Sequence, residues 1–155
     1  MRIAFYSQHV LGVGHFFRSL ELAKALANIP QGCVTLISGG SPVDVPLPPG
    51  VEARYLPALC MNKNLDGTLY AVEAGGASVD AIKEERSRLL QEIMTKLQPD
   101  ILITELFPFG RNRFAFELKP VLSAARQGEY GQCLTVCSLR DILVEKKDQA
   151  TYEQM

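Results

Sequence analysis

The feature that most constrains this chain is a series of short apolar runs separated by helical and loop segments. Five runs have the length and residue types of β-strands, namely residues 2–7, 33–38, 51–56, 100–104 and 133–139. Apolar residues recur at helical spacing in three further segments, namely residues 15–27, 78–97 and 114–126. Four of the strand-like runs lack a polar alternation, which is typical of strands buried on both faces. The pattern predicts an α/β fold with an open, mostly parallel sheet and helices on both faces.

Composition and charge exclude several classes of protein. The chain has 155 residues, of which 47% are hydrophobic and 21% charged, and these proportions are typical of one folded domain. The net charge of -1 gives no basic surface for phosphates, so no nucleic-acid partner is expected. No apolar run approaches the roughly 18 residues that a membrane span needs, and the first residues do not resemble a secretion signal. We therefore expect a cytoplasmic protein, with peripheral contact at the inner membrane face left open.

The segment 57–77 has no clear periodicity and is long for a loop inside a compact domain. Asp66-Gly67 within it is a turn signal, with Leu65 before it and residues 68–72 after it. A small hairpin is therefore expected in this segment.

The loop after the first strand carries the first candidate site. Gly12 and Gly14 allow a tight turn and close approach of a ligand, and the helix that follows favours an anion. His15, at the start of the helix, can take a proton from a substrate hydroxyl, although a surface histidine without a role is the alternative. His9 has less support. Phe17 stands where a dinucleotide motif needs its third glycine, so no such cofactor is expected.

The loops after the fourth and fifth strands carry further candidates. Glu105 ends a strand, and it could orient His15, bind a sugar hydroxyl or pair with Arg111 or Arg113. Those two arginines could clamp a phosphate, or belong to a solvated loop. Arg140 follows the fifth strand and could line the same crevice or close it with an ion pair. The four cysteines have no zinc-ligand spacing, so no metal site is expected.

Three stretches resemble the GT-B glycosyltransferases. They are MRIAFYSQHVLGVGHFFRSLELAKAL, DILITELFPFGRNRFAFEL and CSLRDILVE, and the similarity covers most of the 155 residues. Within that class the sequence is similar to the lipid-II N-acetylglucosaminyltransferase (MurG) type, and particularly to the "predicted glycosyltransferase" group. One glycine stands directly before the histidine where the lipid-II enzymes have two, which counts against a lipid-diphosphate acceptor.

The resemblance implies two Rossmann-like domains with separate binding roles. The N-terminal domain binds the acceptor and supplies the base, and the C-terminal domain binds the nucleotide sugar without a metal ion or other cofactor. The glycine-rich loop of the family maps onto Gly12, Gly14 and His15. The implied roles are catalysis for His15 and Glu105, and acceptor or anion binding for the two glycines and for Arg111, Arg113 and Arg140.

Residues 1–155 are therefore expected to form a single acceptor-binding domain of a longer glycosyltransferase, because the polar residues 146–155 stand where a further helix would follow. A natural terminus is the alternative. The donor-binding domain would be missing, so this segment alone is expected to be inactive. Its expected partners are a hydroxyl acceptor, with a lipid-linked one left open, and a nucleotide sugar held by the missing domain. A non-catalytic subunit of a two-chain enzyme and a nucleotide-sugar epimerase-like protein are the alternative functions.

Overall fold

The computed structural model describes residues 1–9, 13–61, 69–71 and 78–139. Its strands are β1 Arg2–Ser7, β2 Cys33–Ser38, β3 Val51–Tyr55, β4 Leu59–Met61, β5 Leu69–Ala71, β6 Ile101–Glu105 and β7 Leu134–Ser138. Its α-helices are α1 Gly14–Ala27, α2 Val79–Leu97 and α3 Ala115–Arg126, the last preceded by a 3-10 turn over Asn112–Phe114. The predicted strands and helices are present, with ends close to the predicted ones.

Five strands form one parallel sheet in the order β3-β2-β1-β6-β7. The chain runs outward from β1 to β2 and β3, and then returns to the other side of β1 with β6 and β7. Strand order therefore reverses between β1 and β6, which is where open parallel sheets bind ligands, at the carboxyl ends of the strands. Tyr6 of β1 pairs with Thr104 of β6, so the next residues, Ser7 and Glu105, stand side by side at that end.

Each face of the sheet has its own hydrophobic core. On one face, α1 packs against alternate residues of the central strands, in a cluster that includes Phe5, Phe16 and Leu36. On the other face, α2 and α3 pack against the intervening residues, in a cluster that includes Tyr6 and Leu90. The alternation of strand side chains between two covered faces explains the continuous apolar runs of the sequence. The predicted α/β fold with helices on both faces is confirmed.

A short antiparallel pair confirms the expected hairpin in part. β4 pairs with β5, and Met61 lies opposite Leu69. The first arm is thus residues 59–61, further from Asp66-Gly67 than the sequence pattern suggested. The turn itself lies outside the described residues.

The strand β7 differs from the prediction. Leu134 is 61% exposed and Val136 is 39% exposed, although the sequence predicted burial on both faces. The register places them beside Ile101 and Ile103, on the α1 side of the sheet. α1 lies over β1, β2 and β3, so within the described residues this side of β7 stays exposed. An apolar run is buried on both faces only where a helix covers each of them.

A charged network lies inside the core beneath α2 and α3. Arg86 lies on the buried face of α2 and donates to both carboxylate oxygens of Glu117 on α3, at 2.9 and 2.6 Å. Tyr6 of β1 donates its hydroxyl hydrogen to the same carboxylate. Arg86 and Glu117 are both fully buried. The network therefore joins α2, α3 and β1 in the centre of the domain.

The same guanidinium also holds loop backbone at the carboxyl ends of the strands. Arg86 Nη1 donates to the carbonyl oxygens of Gly39, at 2.9 Å, and Pro57, at 2.6 Å. Burial raises the pKa of Tyr6 well above its usual value, and the negative charge of Glu117 adds to that effect. Burial by itself lowers the pKa of Arg86, but the Glu117 carboxylate and Tyr6 together raise that pKa above its usual value. Tyr6 thus remains a neutral donor and Arg86 a cation.

Among the helices in the described ranges, none is long and apolar enough to cross a membrane.

Candidate active site

The site is centred on a histidine and a carboxylate that meet at the carboxyl end of the sheet. His15 lies in the first turn of α1, and its Nδ1 is 2.6 Å from Oε1 of Glu105, the last residue of β6. The Glu105 side chain is fully buried, whereas that of His15 is 23% exposed. A carboxylate only accepts hydrogen bonds, so Nδ1 of His15 carries a hydrogen and donates it to Glu105. This contact fixes the orientation of the partly exposed His15 ring.

Two serines extend this contact inward. Ser7 at the end of β1 donates to Glu105 Oε2 at 3.3 Å, and Ser19 of α1 donates to the Ser7 hydroxyl at 2.8 Å. His15 and Ser19 are four residues apart, so they lie on the same face of α1. The hydroxyls thus fix the second carboxylate oxygen while His15 uses the first.

An arginine lies near the same carboxylate oxygen that His15 contacts. Arg18 Nη1 is 4.0 Å from Glu105 Oε1. Its guanidinium also donates to Ser138 Oγ at 3.4 Å and to the carbonyl oxygen of Leu139 at 2.8 Å. Arg18 therefore ties α1 to the end of β7 and places a positive charge beside Glu105. The sequence analysis missed Ser7, Arg18 and Ser19, although the spacing of Arg18 and Ser19 from His15 was a signal that they share its helix face.

Two glycines and three arginines make up the rest of the predicted site. Gly12 and Arg140 lie outside the described residues. Gly14 is the first residue of α1, and a side chain added there would meet no atom within 4 Å. Arg111 precedes the 3-10 turn and is partly buried, and Arg113 lies in that turn and is exposed. Among the ion pairs of the described residues, the arginine paired with Glu105 is Arg18.

His9 contacts β2, the loop after it and α1. Its Nε2 lies 2.8 Å from the carbonyl oxygen of Ser41, and its Nδ1 lies 3.5 Å from the Ser38 hydroxyl. A carbonyl oxygen can only accept, so Nε2 carries the hydrogen and Nδ1 accepts from Ser38. The ring also packs edge-on against Phe16. These contacts hold the loop after β2 against the start of α1.

The Gly40→Ala substitution is expected to lower the unfolding free energy by about 1–3 kcal/mol, because the new Cβ would overlap the His9 ring. Gly14→Ala is the matched control, since space is open there and alanine is the better helix former. Urea unfolding of both variants measures the difference. Equal losses in the two variants would show that the contact with His9 does not constrain position 40.

Two other features do not add to this site. Within the described residues, no three His, Cys, Asp or Glu side chains are placed to hold a metal ion together. A groove of about 390 Å³ lies over β2 and β3, lined by Thr35, Glu52, Arg54, Ile93, Lys96 and Leu97. Glu52 there is already paired with Thr35, at 2.9 Å, and with Arg54, at 3.6 Å. The groove is separated from β6 and Glu105 by β1.

Several solved structures have a fold similar to that of this chain. The structure of apo UGT2 from Phytolacca americana matches with a TM-score of 0.54 and 18% identity, over 91% of this chain and 29% of that one. UGT2 from the same plant in complex with UDP-2fluoro-glucose and pterostilbene matches with a TM-score of 0.50 and 19% identity, over 88% of this chain and 30% of that one. CalG4, the calicheamicin glycosyltransferase, matches with a TM-score of 0.48, 16% identity and coverage of 99% and 36%. No protein-family model and no curated protein matches the sequence.

The first two matches define the class of fold. The chain has the Rossmann-like α/β fold found in GT-B glycosyltransferases, and this part of the prediction is confirmed. It spans less than a third of the length of the UGT2 chain.

Proposed function

We propose that this chain is the acceptor-binding half of a metal-independent glycosyltransferase, which moves a sugar from a nucleotide-sugar donor to a hydroxyl acceptor. The observation that carries the proposal is the hydrogen bond between His15 and Glu105 at the reversal of strand order. The similarity of the fold to that of GT-B glycosyltransferases supports the proposal. One such protein, UGT2, has been solved in complex with UDP-2fluoro-glucose and pterostilbene.

In this proposal His15 is the general base and Glu105 is its positioning residue. Nε2 removes the proton from the acceptor hydroxyl as its oxygen attacks the anomeric carbon of the donor. The new carbon–oxygen bond replaces the bond to the diphosphate, which leaves with the electron pair of that bond. The imidazolium formed at His15 is stabilised by the buried carboxylate 2.6 Å away. Ser7 and Arg18 keep that carboxylate in place.

The loops around the histidine are assigned to the acceptor. Gly12 and Gly14 allow it close to the backbone, and open space at Gly14 supports this role. Arg111, Arg113 and Arg140 supply positive charge for anionic groups of the ligands. A cytoplasmic location, with peripheral contact at the inner membrane face for a lipid-linked acceptor, belongs to the same proposal.

The donor-binding part is assigned to a second domain or a partner subunit. The length of UGT2 relative to this chain supports that division. Sugar transfer is therefore expected only when this chain is joined to, or combined with, the donor-binding part. A separate partner that binds the nucleotide sugar by itself would favour the two-chain form.

Pterostilbene, a phenol, is expected to bind to the 155-residue chain and to shift the NMR signals of the His15 ring and of the first turn of α1. The reason is that the acceptor hydroxyl must lie within hydrogen-bonding distance of His15 Nε2. UDP-glucose added to the same sample is expected to cause no comparable shift. The signal of exposed Glu129, which lies beside Gln98 near the start of β6 and so at the opposite end of the strands, serves as the internal control.

The opposite pattern would reject the proposal. If UDP-glucose shifts the His15 signals and phenolic acceptors do not, this domain binds the donor. If neither compound shifts them, the His15 crevice does not hold an acceptor of this class.

A further inference from the structure

Gln8 stands at the end of β1 and is not used by the proposed chemistry. Successive residues of a strand point to opposite faces, so Ser7 points towards Glu105 and Gln8 points to the side of α2 and Arg86. Gln8 is only 1% exposed. It lies where strand order reverses between β1 and β6, which is the ligand-binding edge of open sheets.

The carboxamide of Gln8 is buried without hydrogen bonds. Within the part of the chain that the structure describes, neither Oε1 nor Nε2 has a partner. The Arg86 guanidinium beside it donates to Glu117, Gly39 and Pro57. A buried amide that lacks partners costs free energy, and such a group in a folded protein requires an explanation.

The surroundings make room for this amide. A Cβ added at Gly39 would overlap both the Gln8 amide and the Arg86 guanidinium. The amide therefore packs against bare backbone, in a place that a larger residue at position 39 would take. A methionine at position 8 would fill the same volume without two unpaired polar atoms. The polar group at this position is thus unfavourable for folding alone.

We propose that the Gln8 carboxamide binds two neighbouring oxygens of the acceptor, a subsite that rests on the proposed function. The amide oxygen accepts a hydrogen bond from one hydroxyl, and the amide nitrogen donates to the adjacent oxygen. The class of ligand is a molecule with adjacent hydroxyls, such as a 1,2-dihydroxybenzene or a sugar. Because the amide is covered in the ligand-free chain, binding includes a local rearrangement around it.

A comparison of catechol with phenol tests this subsite. The two probes differ by one adjacent hydroxyl, so the unmodified chain is expected to bind catechol about tenfold more tightly. Gln8→Met is expected to abolish this preference, so that catechol and phenol bind with affinities within about twofold of each other. Gln127→Met, the same change at an exposed glutamine at the end of α3, is the matched control and should retain the preference. NMR titration measures each affinity.

Thermal unfolding of the ligand-free variants gives an independent result. The melting temperature of Gln8→Met is expected to equal or exceed that of the unmodified chain, because no hydrogen bond is lost. A decrease of about 3 °C or more would show that the amide has a partner within the protein and would overturn the proposal.

The binding results distinguish a failure of the Gln8 subsite from a failure of the proposed function. A preference for catechol that survives in Gln8→Met, or no preference in the unmodified chain, overturns the Gln8 subsite and leaves acceptor binding intact. Binding of neither probe by the unmodified chain contradicts the proposed function, and the subsite falls with it.

Discussion

The Arg86→Met variant is expected to lose about 3–5 kcal/mol of unfolding free energy. The substitution leaves the Glu117 carboxylate fully buried without its bidentate cation. It also removes the donor to the Gly39 and Pro57 carbonyl oxygens. Denaturant unfolding measured by circular dichroism gives the difference, and a loss of this size is a large part of the total stability of a domain of this length.

Arg88→Met is the matched control for that measurement. Arg88 lies on the same helix, but its pair with Glu92 is exposed on both sides. The expected loss is below about 1 kcal/mol, because exposed ion pairs contribute little. Similar losses for the two arginines would mean that the buried network does not stabilise the domain. A second test combines Arg86→Met with Glu117→Leu, which should recover part of the loss since no unpaired charge remains.

If the proposed function holds, the His15→Gln variant reduces turnover of this chain combined with its donor-binding part by about 100-fold or more, the usual contribution of a general base. Glutamine can still donate to the buried Glu105 carboxylate, so the domain should fold, but it has no basic nitrogen at the acceptor. The measurement is the initial rate of transfer at saturating donor and acceptor.

Glu105→Gln tests the positioning role separately. An amide oxygen at position 105 can still accept from His15 Nδ1, but it removes the charge that stabilises the imidazolium. We expect a lower kcat with an almost unchanged KM, because Glu105 contacts the base rather than the acceptor.

For the His15→Gln variant, turnover within about threefold of the unmodified enzyme would exclude His15 as the base.

Local patterns predicted the elements well because their causes are local. β1 and β2 begin and end at the predicted residues, since apolar runs bounded by turn residues favour strands irrespective of distant contacts. The start of α2 has a local cause too, because the Ser78 side chain accepts from the backbone N–H of Ala81 and caps the helix. The exposure of β7 could not be predicted in this way, because it depends on where the helices lie rather than on the strand's own residues.

The candidate site, like the fold, could be predicted from the sequence only in part. Strand ends and the glycine-bearing loop directed attention to His15 and Glu105, which are 90 residues apart and in contact. The sequence left three possible roles for Glu105, and the sheet order places it in contact with His15 because it brings β6 beside β1. The spacing of Arg18 from His15 indicates a shared face of α1, but its partners, Glu105 and the end of β7, are set by the tertiary structure.

By itself the sequence determined the α/β class, the bounds of most strands and helices, and the loops in which chemistry was to be sought. Hydrophobic periodicity and turn residues act over a few positions, so one chain segment is enough to express them. Only the tertiary structure decided that Arg86 is buried with Glu117 and Tyr6, and that the Gln8 amide is enclosed with no hydrogen-bond partner among the described residues. These features depend on burial and on contacts between residues far apart in the chain, and desolvation acts on a group only once the whole fold surrounds it.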